Sequence, residues 1–574
     1  MKTEYRKHIR LRTGLVGFIL SLCFVAIGGR AVYLQVLCDS WLSKKAANQY
    51  ERPFRSVGNR GTIYDAKHEE MAVSISVTSI AAYPGQIDNI DTAAVKLARI
   101  LRVGKTTLRK KFSSKSKFIW IKRQVTPGEE QKVKELKLKG IDFIPEQNRF
   151  YPSKTLAAQL LGFSGIDGHG LEGIEFYYDK YLKGNDDRFT VFRDALGYAF
   201  AGEKVTDDYN GKNLILTIDR TIQYITERAL EEAVNEFQAG SGIAIVMVPK
   251  TGAILSLAHF PFFNPNAFNK FDREKWRNRA ITDPFEPGST MKIFTAAAAI
   301  ESSKCTTRSI FFCENGKYKI GKNIIHDTHP HGWLSLQNII KYSSNIGAVK
   351  VSEMIGPEIM YNNLHKFGFG ENTGIDCPGE TAGSLLNYKS WAKIDAGAIS
   401  FGQGISASAI QLISAASAIA NNGILMKPYL VQAITDHNGR LIKSIKPKEK
   451  RRVVSARTAQ TVIKMMKSVV SEKGTGTNAA IDGYSVCGKT GTAQKIGYSG
   501  KYAKGKYTAS FIGFIPAEKP KAVILVIIDE PHVNHYGGIV AAPVFRKIAL
   551  KTLDYMNMSQ GRVAGVEASG GRDR

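Results

Sequence analysis

The feature that most constrains this chain is an apolar segment near its N-terminus, from Gly14 to Leu37. Its 24 residues are enough for one helix to cross the ~30 Å hydrocarbon core of a membrane. Arg30 is the single charged residue within it and can extend to the interface. Five cations against one acid precede it in residues 2–12, which predicts a cytoplasmic N-terminus and an external chain after about residue 38.

A cleaved signal peptide is the competing interpretation, because Ala26-Ile27-Gly28 has the small residues of a cleavage site. The apolar run continues past that site, which favours an uncleaved anchor. No second apolar stretch of this length occurs. The nearest, Ala522–Ile528, has seven residues and many β-branched side chains, as buried strands do.

The charge balance limits the partners. With 79 Lys+Arg and 51 Asp+Glu the net charge is +28, on an otherwise ordinary globular composition of 43% hydrophobic residues. Basic runs occur at Lys105–Lys117 and Lys443–Arg452. Without a basic stripe interleaved with aromatics, a helix-turn-helix or zinc-finger spacing, we expect no nucleic acid partner. Six cysteines are too few for a disulfide framework, although Cys305 and Cys313 could pair outside the cytoplasm.

The order of predicted elements indicates one sheet assembled from distant parts of the chain. A strand, a helix and a hairpin precede a helical region, and two further strands follow it. The predicted bounds are Asn213–Asp219, Thr221–Phe237, Ile243–Val248, Ala253–His259, Thr508–Phe514 and Ala522–Asp529. The Gly-rich, polar C-terminus is expected to be a disordered tail.

The first candidate for chemistry is Ser289-Thr290-Met291-Lys292, which opens an Ala-rich helix. Residues i and i+3 share a helix face, so the Ser289 hydroxyl and the Lys292 amine would be neighbours. A serine nucleophile needs an adjacent base, and a lysine serves if its pKa is lowered. Taken alone, the pair could equally be an N-cap serine and a surface lysine.

Two later segments could complete such a site. Ser343-Ser344-Asn345 supplies a hydroxyl and an amide. Lys489-Thr490-Gly491-Thr492 supplies a second cation, a hydroxyl and a glycine that lets a substrate backbone approach. Lys250-Thr251-Gly252 repeats part of the pattern, but turn formation between two strands explains it.

Two other kinds of site are alternatives, and the first overlaps the third motif at Lys489 and Thr490. Gly483–Thr490 fits the phosphate-loop pattern G-x-x-x-x-G-K-[ST], yet a phosphate loop opens a helix, and the sequence after Thr490 has a hairpin composition. His326, His329 and His331 lie close enough in sequence to suggest a metal, but no ordered ligand set completes them. We therefore expect neither a nucleotide nor a metal.

The three ordered segments together resemble the class B penicillin-binding proteins, and within them the FtsI-like division transpeptidases. The resemblance extends to about four-fifths of the chain. It also rests on segments outside the three motifs: Arg60–Asp65, Arg149–Pro152, Gly170–Glu175, Arg279–Ser289, Phe401–Gly404 and Tyr536–Phe545.

The resemblance implies an α+β fold in which helices flank an antiparallel sheet. The implied domains are a cytoplasmic tail (1–13), an anchor (14–37), a pedestal (38–210), a transpeptidase domain (211–555) and a disordered tail (556–574). No glycan-polymerising domain is expected before residue 210, so a SEDS-type polymerase is the expected partner, with other division proteins. Peptidoglycan stem peptides ending in D-Ala-D-Ala are the expected substrates, and β-lactams the expected inhibitors.

The resemblance also implies a role for each site residue. Ser289 attacks the donor peptide, Lys292 accepts its proton with a pKa depressed by burial and by Lys489, and Ser343 relays the proton. Asn345 orients the site. Lys489 and Thr490 hold the terminal carboxylate, Gly491 lets the substrate approach, and the backbone N–H groups of Ser289 and Thr492 form the oxyanion hole. No cofactor is needed.

Three alternatives stay open at this point: an elongation-type relative, a non-catalytic scaffold of the division site, and a β-lactamase or β-lactam sensor. The expected location is the bacterial inner membrane, with the catalytic domain in the periplasm.

Overall fold

The structure, a computed structural model, describes residues 2–37, 51–184, 186–193, 199–202, 210–497 and 500–569. These form two compact units, each considered by itself below. The first comprises Met1–Gly58 with Gly184–Asn210, and the second comprises Asn59–Lys183 with Gly211–Arg574.

The strands are, in chain order, β1 (Glu51–Val57), β2 (Ile63–Tyr64), β3 (Glu70–Ala82), β4 (Ile119–Val125), β5 (Ile141–Phe150), β6 (Asp186–Arg193), β7 (Ala199–Gly202), β8 (Asn213–Leu216), β9 (Ser241–Met247), β10 (Ile254–Phe260), β11 (Ile310–Phe312), β12 (Lys317–Ile320), β13 (Asn323–His326), β14 (Trp333–Ser335), β15 (Ile424–Met426), β16 (Val431–Thr435), β17 (Leu441–Ser444), β18 (Glu449–Arg452), β19 (Cys487–Ile496), β20 (Tyr502–Ile515) and β21 (Ala522–Asp529).

The α-helices are α1 (Lys2–Val32), α2 (Ile90–Leu101), α3 (Lys105–Phe112), α4 (Pro127–Glu135), α5 (Ala158–Leu161), α6 (Gly173–Tyr177), α7 (Asp179–Leu182), α8 (Arg220–Glu236), α9 (Arg279–Thr282), α10 (Lys292–Glu301), α11 (Leu336–Tyr342), α12 (Asn345–Ile355), α13 (Pro357–Lys366), α14 (Lys393–Ser400), α15 (Ala409–Ala420), α16 (Ala456–Val470), α17 (Gly537–Val540) and α18 (Ala542–Ser569).

The first unit contains the predicted membrane span. Helix α1 continues into a π-helical turn at Tyr33–Leu37. Within the stretch Leu11–Val36, an 18-residue window has a mean hydropathy of 2.1 and is not buried by other described residues. Its length and composition fit a single-pass membrane anchor. Strands β1, β6 and β7 form an antiparallel sheet in the same unit.

The second unit is organised around an antiparallel sheet with the order β10-β9-β21-β20-β19. Strands from residues 241–260 and from residues 487–529 are neighbours in it, as the sequence predicts. Helices α8 and α18 cover one face through apolar residues such as Leu230 and Phe545. Helices α10, α15 and α16 belong to the larger core on the other side, so the first motif is held against the sheet.

A second sheet runs β17-β16-β8-β2-β3-β4, and β5 pairs with β3. Strand β8 follows the predicted boundary at residue 210, yet it pairs with β2 from the predicted pedestal and with β16 from the C-terminal half. The division of the chain at residue 210 stays a prediction, since this sheet continues across it. Residues 38–50 of the predicted pedestal lie outside the described residues.

Three of the segments that carry the family resemblance meet at one buried carboxylate. Glu175, which is fully buried, accepts hydrogen bonds from Arg60 Nε and Arg149 Nε, each at 2.6 Å. Tyr151 donates to the same carboxylate at 3.3 Å. Facing guanidinium groups lower the pKa of Glu175 although burial alone would raise it. The cluster fixes residues 60, 149 and 175 relative to one another.

The C-terminus differs from expectation. Helix α18 continues to Ser569, whereas the sequence predicts a disordered tail from residue 556. Its N-terminal half packs through Phe545, Ile548 and Leu553, and no proline interrupts the segment that continues to Ser569. Residues 570–574 of the predicted tail lie outside the described residues.

Candidate active site

Ser289 lies in a tight helical turn, Gly288–Met291, that leads directly into α10. Gly288 has a φ of +56° and donates its N–H to the carbonyl of Gly402 at 3.1 Å. A Cβ on Gly402 would lie 2.1 Å from Gly288 O, so only glycine allows this approach. The segment containing Gly402, part of the predicted resemblance, therefore sets the position of the serine turn.

Lys292 is fully buried one turn after Ser289. Its Nζ lies 2.9 Å from Ser289 Oγ, 2.6 Å from the Ser343 carbonyl oxygen and 2.7 Å from Asn345 Oδ1. A neutral amine has two N–H donors and one lone pair. The two acceptors use both donors, which leaves the lone pair for the Ser289 hydroxyl.

The loop between α11 and α12 carries the second motif. Ser343 ends α11 in the left-handed region, with φ +61° and ψ +38°, a conformation uncommon for a residue with a side chain. This turn brings its carbonyl to Lys292, and its hydroxyl lies 3.2 Å from Lys292 Nζ and 2.8 Å from Lys489 Nζ. The Ser343 hydroxyl thus bridges the two lysines.

Asp327 holds this loop in place, a role that the sequence analysis missed. Its carboxylate accepts the N–H groups of Asn345 and Ile346 and the hydroxyl of Ser344. A carboxylate at the start of α12 is stabilised by the unpaired N–H groups there. Asn345 also donates through Nδ2 to the carbonyl of His326, at 2.9 Å. The only sequence signal was the histidine cluster around Asp327, considered above as a metal site.

The third motif lies on β19, the edge strand of the sheet. Lys489 is fully buried, and its Nζ is 3.3 Å from Thr490 Oγ1, which in turn contacts Thr475 Oγ1 at 3.0 Å. A Cβ on Gly491 would lie 2.2 Å from Ser510 Oγ. The sequence predicts that this glycine lets a substrate backbone approach, and the structure adds close packing against β20.

Thr492 adjoins the serine turn. A Cβ on Gly288 would be 3.1 Å from the Thr492 carbonyl oxygen, and Thr492 Oγ1 accepts the N–H of Gly537 at 3.1 Å. All eight residues singled out from the sequence therefore belong to one constellation at the junction of the sheet edge and helices α10 and α12.

Burial controls the charge of the two lysines. It lowers the pKa of Lys292 to about 7, against a smaller opposing effect of the Asp327 carboxylate. Burial and the neighbouring Lys292 ammonium lower the pKa of Lys489 well below its usual value. Two buried cations this close oppose each other's protonation. The resemblance implied that Lys489 contributes to the lowered pKa of Lys292, but the main cause is removal of Lys292 from water.

A cavity of about 280 Å³ lies beside segments that flank the first and third motifs, and none of the eight site residues lines it. Its lining includes Glu286, three residues before the serine, and Ala493, directly after Thr492. Glu286 accepts the N–H of Gly404 at 2.8 Å and the hydroxyl of Tyr502 at 3.3 Å. The cavity lies along the part of β19 that follows the third motif, from Ala493 to Ile496.

The competing interpretations can be compared with the structure. Gly488 and Lys489 lie within a strand rather than at the start of a helix, so Gly483–Thr490 is not a phosphate loop. Among the described residues, no three His, Cys, Asp or Glu side chains form a metal-binding group. Cys305 and Cys313, whose pairing the sequence left open, are both free and buried, and Cys305 Sγ contacts Met354 Sδ at 3.3 Å.

Comparison with protein-family models agrees with this geometry. Residues 242–550 match the penicillin binding protein transpeptidase domain, and residues 55–216 match the penicillin-binding protein dimerisation domain. Fold and site thus define a two-domain penicillin-binding protein. The chain belongs to the penicillin-binding protein transpeptidase family, and its two-domain arrangement is that of class B.

Curated relatives cover nearly the whole chain. It is 36% identical to the probable peptidoglycan D,D-transpeptidase PenA of Neisseria meningitidis, over 97% of this chain and 95% of the relative. It is 32% identical to the peptidoglycan D,D-transpeptidase FtsI of Escherichia coli K12, over 97% and 93%. It is 33% identical to stage V sporulation protein D of Bacillus subtilis, over 93% and 84%.

Solved structures show the same fold. Penicillin binding protein 3 of Mycobacterium tuberculosis, complexed with aztreonam, is similar with a TM-score of 0.68 and 28% identity, over 88% of this chain and 97% of that one. A peptidoglycan synthetase from Bifidobacterium adolescentis has a TM-score of 0.70 and 27% identity, over the same shares.

Proposed function

We propose that this protein is a peptidoglycan D,D-transpeptidase, a penicillin-binding acyltransferase that crosslinks stem peptides through an acyl-enzyme on Ser289. One observation carries the assignment of the residues: a buried lysine with a pKa of about 7 lies 2.9 Å from the Ser289 hydroxyl. The family membership supports the activity as a whole.

Acylation begins when Ser289 Oγ attacks the carbonyl between the two terminal D-alanines. Neutral Lys292 accepts the hydroxyl proton as the new ester bond forms. The proton then passes through the Ser343 hydroxyl, which contacts both lysines, to the nitrogen of the departing D-Ala. The peptide bond breaks, D-Ala leaves as an amine, and Lys292 is neutral again.

Binding groups surround the reacting carbonyl. Lys489 and Thr490 hold the terminal carboxylate, and this negative charge favours the protonated form of Lys489. The backbone N–H groups of Ser289 and Thr492 stabilise the oxyanion, and Asn345 orients Lys292. Gly491 leaves the edge of β19 open to the donor backbone. An amine of a neighbouring stem peptide then attacks the ester, forms the crosslink and regenerates Ser289.

Release of D-Ala tests the reaction itself. Purified full-length protein is supplied with uncrosslinked glycan strands bearing pentapeptides, and D-Ala and crosslinked dimers are counted. We expect one D-Ala per crosslink, and neither product from Ser289→Ala. D-Ala release without crosslinks would identify a carboxypeptidase instead, and crosslinks formed by Ser289→Ala would exclude the proposed nucleophile.

We propose that the apolar helix anchors the protein in the bacterial inner membrane with its N-terminus in the cytoplasm. The cations of residues 2–12 support this orientation, because positively charged flanks stay inside. The site then lies in the periplasm, as peptidoglycan does. A cysteine substituted for Thr3 should resist a membrane-impermeant thiol reagent in intact spheroplasts, while one substituted for the exposed Ser116 should react.

A septal role with a SEDS-type polymerase rests on the FtsI-like resemblance and on an FtsI relative of near full length. Other relatives are named PenA and stage V sporulation protein D. A role in cell elongation or in a specialised process such as sporulation is therefore the alternative within class B. Tethering to a polymerase would raise the effective concentration of nascent strands. Replacing residues 14–37 by an unrelated span should abolish division but spare β-lactam acylation; full rescue would contradict a specific partner contact.

A further inference from the structure

Residues 96–117 carry a concentration of positive charge that the proposed reaction does not use. This segment of 22 residues contains nine cations and no acidic residue. We call it the basic face; its cations are Lys96, Arg99, Arg102, Lys105, Arg109, Lys110, Lys111, Lys115 and Lys117. All except Lys111 are exposed. Among the described residues, Arg109 is its one ion-paired member, with Asp91 at 2.6 Å.

The fold brings the basic face together on one module. Buried Leu97, Leu101, Leu108 and Phe112 pack α2 and α3 on β3 and β4. Lys122 of β4 donates to the Leu101 carbonyl at 3.1 Å, and Lys111 donates to the Trp120 carbonyl at 2.8 Å. The ends of both helices are therefore held beside the start of β4.

Aromatic rings adjoin these cations, an arrangement that the sequence analysis did not expect. Phe118 contacts Tyr83 and Trp120 edge-on, with ring centroids 5.9 Å and 5.1 Å apart. Phe118 is 38% exposed, and Trp120 is partly exposed. Trp120 also lies beneath the Arg123 guanidinium. Flat apolar rings beside fixed cations suit a ligand with both apolar faces and negative charge.

We propose that the basic face and the adjoining aromatic rings bind peptidoglycan strands away from the active site. The proposed function supplies the identity of this polymer. Each uncrosslinked stem peptide ends in a free carboxylate, and the sugar rings between stems present apolar faces to aromatic side chains. A second contact on the same polymer raises the local concentration of stems near Ser289 without any change in the reacting groups.

The test measures binding of labelled, uncrosslinked glycan strands to the full chain in zwitterionic nanodiscs. The active site is first blocked with penicillin, so that only other surfaces can bind. The test variant combines Lys105→Gln, Lys110→Gln, Lys115→Gln and Lys117→Gln. A matched control combines four exposed lysines elsewhere, Lys389→Gln, Lys443→Gln, Lys446→Gln and Lys448→Gln, with the same loss of charge.

We expect the test variant to raise the Kd for the strands at least tenfold and to flatten its dependence on salt concentration. The control should stay within twofold of the unmodified protein. Equal losses in both variants, or no loss in the test variant, would overturn the proposal. Penicillin acylation of each variant, measured separately, reports folding and the proposed function independently of strand binding.

Phosphatidylglycerol vesicles separate the polymer from a lipid surface. Phe118→Ala should weaken strand binding severalfold and leave vesicle binding unchanged, because lipid headgroups offer no sugar ring to stack. Tighter binding to these vesicles than to strands, or unchanged strand binding by Phe118→Ala, would reject peptidoglycan as the ligand of this surface.

Discussion

Replacing Lys292 by methionine should stabilise the protein near neutral pH while abolishing acylation. Lys292 titrates at about 7 in the folded protein and near 10.5 when unfolded. Between these values the unfolded chain binds more protons, so wild-type stability rises with pH across this window. Keeping the amine neutral costs about 4 kcal/mol of folding free energy at pH 7 and about 1 kcal/mol at pH 10.

Methionine removes this cost together with two hydrogen bonds. The Ser343 carbonyl and Asn345 Oδ1 lose their donor, at about 1–1.5 kcal/mol each. The variant should therefore be about 1–2 kcal/mol more stable than wild type at pH 7 and less stable by a similar amount at pH 10. At low pH the substitution also removes a positive charge beside Lys489, which further stabilises the variant relative to wild type.

Urea unfolding of full-length wild-type and Lys292→Met protein, followed by tryptophan fluorescence at pH 7, 8.5 and 10, measures this difference. The decisive quantity is how much the stability difference between the two proteins changes from pH 7 to pH 10, about 3 kcal/mol. The loss of hydrogen bonds is the same at every pH, so it does not contribute to this change. A difference that does not vary with pH would show that Lys292 is protonated in the folded protein. That result would remove the base from the proposed mechanism.

Three further substitutions test separate parts of the account. Lys292→Arg should lower the penicillin acylation rate about a hundredfold or more, because a guanidinium stays protonated; near-normal stopped-flow rates would make the role of Lys292 purely electrostatic. Gly491→Ala should slow acylation and lower Tm, because the added Cβ would lie 2.2 Å from Ser510 Oγ and 2.9 Å from Thr290 Cγ2. An unchanged acylation rate and Tm would mean that β19 shifts to accommodate the Cβ. Glu175→Gln should lower the free energy of unfolding by about 3 kcal/mol, because Arg60 and Arg149 would lose their buried carboxylate partner. A loss below ~1 kcal/mol in urea titration would contradict the stabilising role of this carboxylate.

Local patterns predicted the strands of the main sheet and three short motifs that the structure brings together; the roles of the motif residues stay predictions. Strand β21 has the predicted bounds Ala522–Asp529, and α8 begins and ends one residue before the predicted helix. The eight site residues come from three short motifs whose chemistry depends on their side chains. The spacing of Ser289 and Lys292 alone places the two groups within hydrogen-bonding distance.

Contacts between distant segments could not be predicted in this way. Asp327 binds the loop of Asn345 through backbone N–H groups, and any sequence could supply those. The approach of Gly402 to Gly288 depends on tertiary packing over more than a hundred residues. Likewise, Phe118 and Trp120 follow the basic face directly in sequence, but the contact of Tyr83 with Phe118 joins residues 35 positions apart and is visible only in the folded chain.

The most direct test of the central claim is the intact mass of the full-length protein after exposure to benzylpenicillin, with Ser289→Ala as the control. The account predicts one added penicilloyl group, located on Ser289 by peptide mapping, and none on the variant. An adduct that persists in Ser289→Ala, or a folded wild-type protein that takes up no penicillin, would contradict the assignment of Ser289 as the nucleophile.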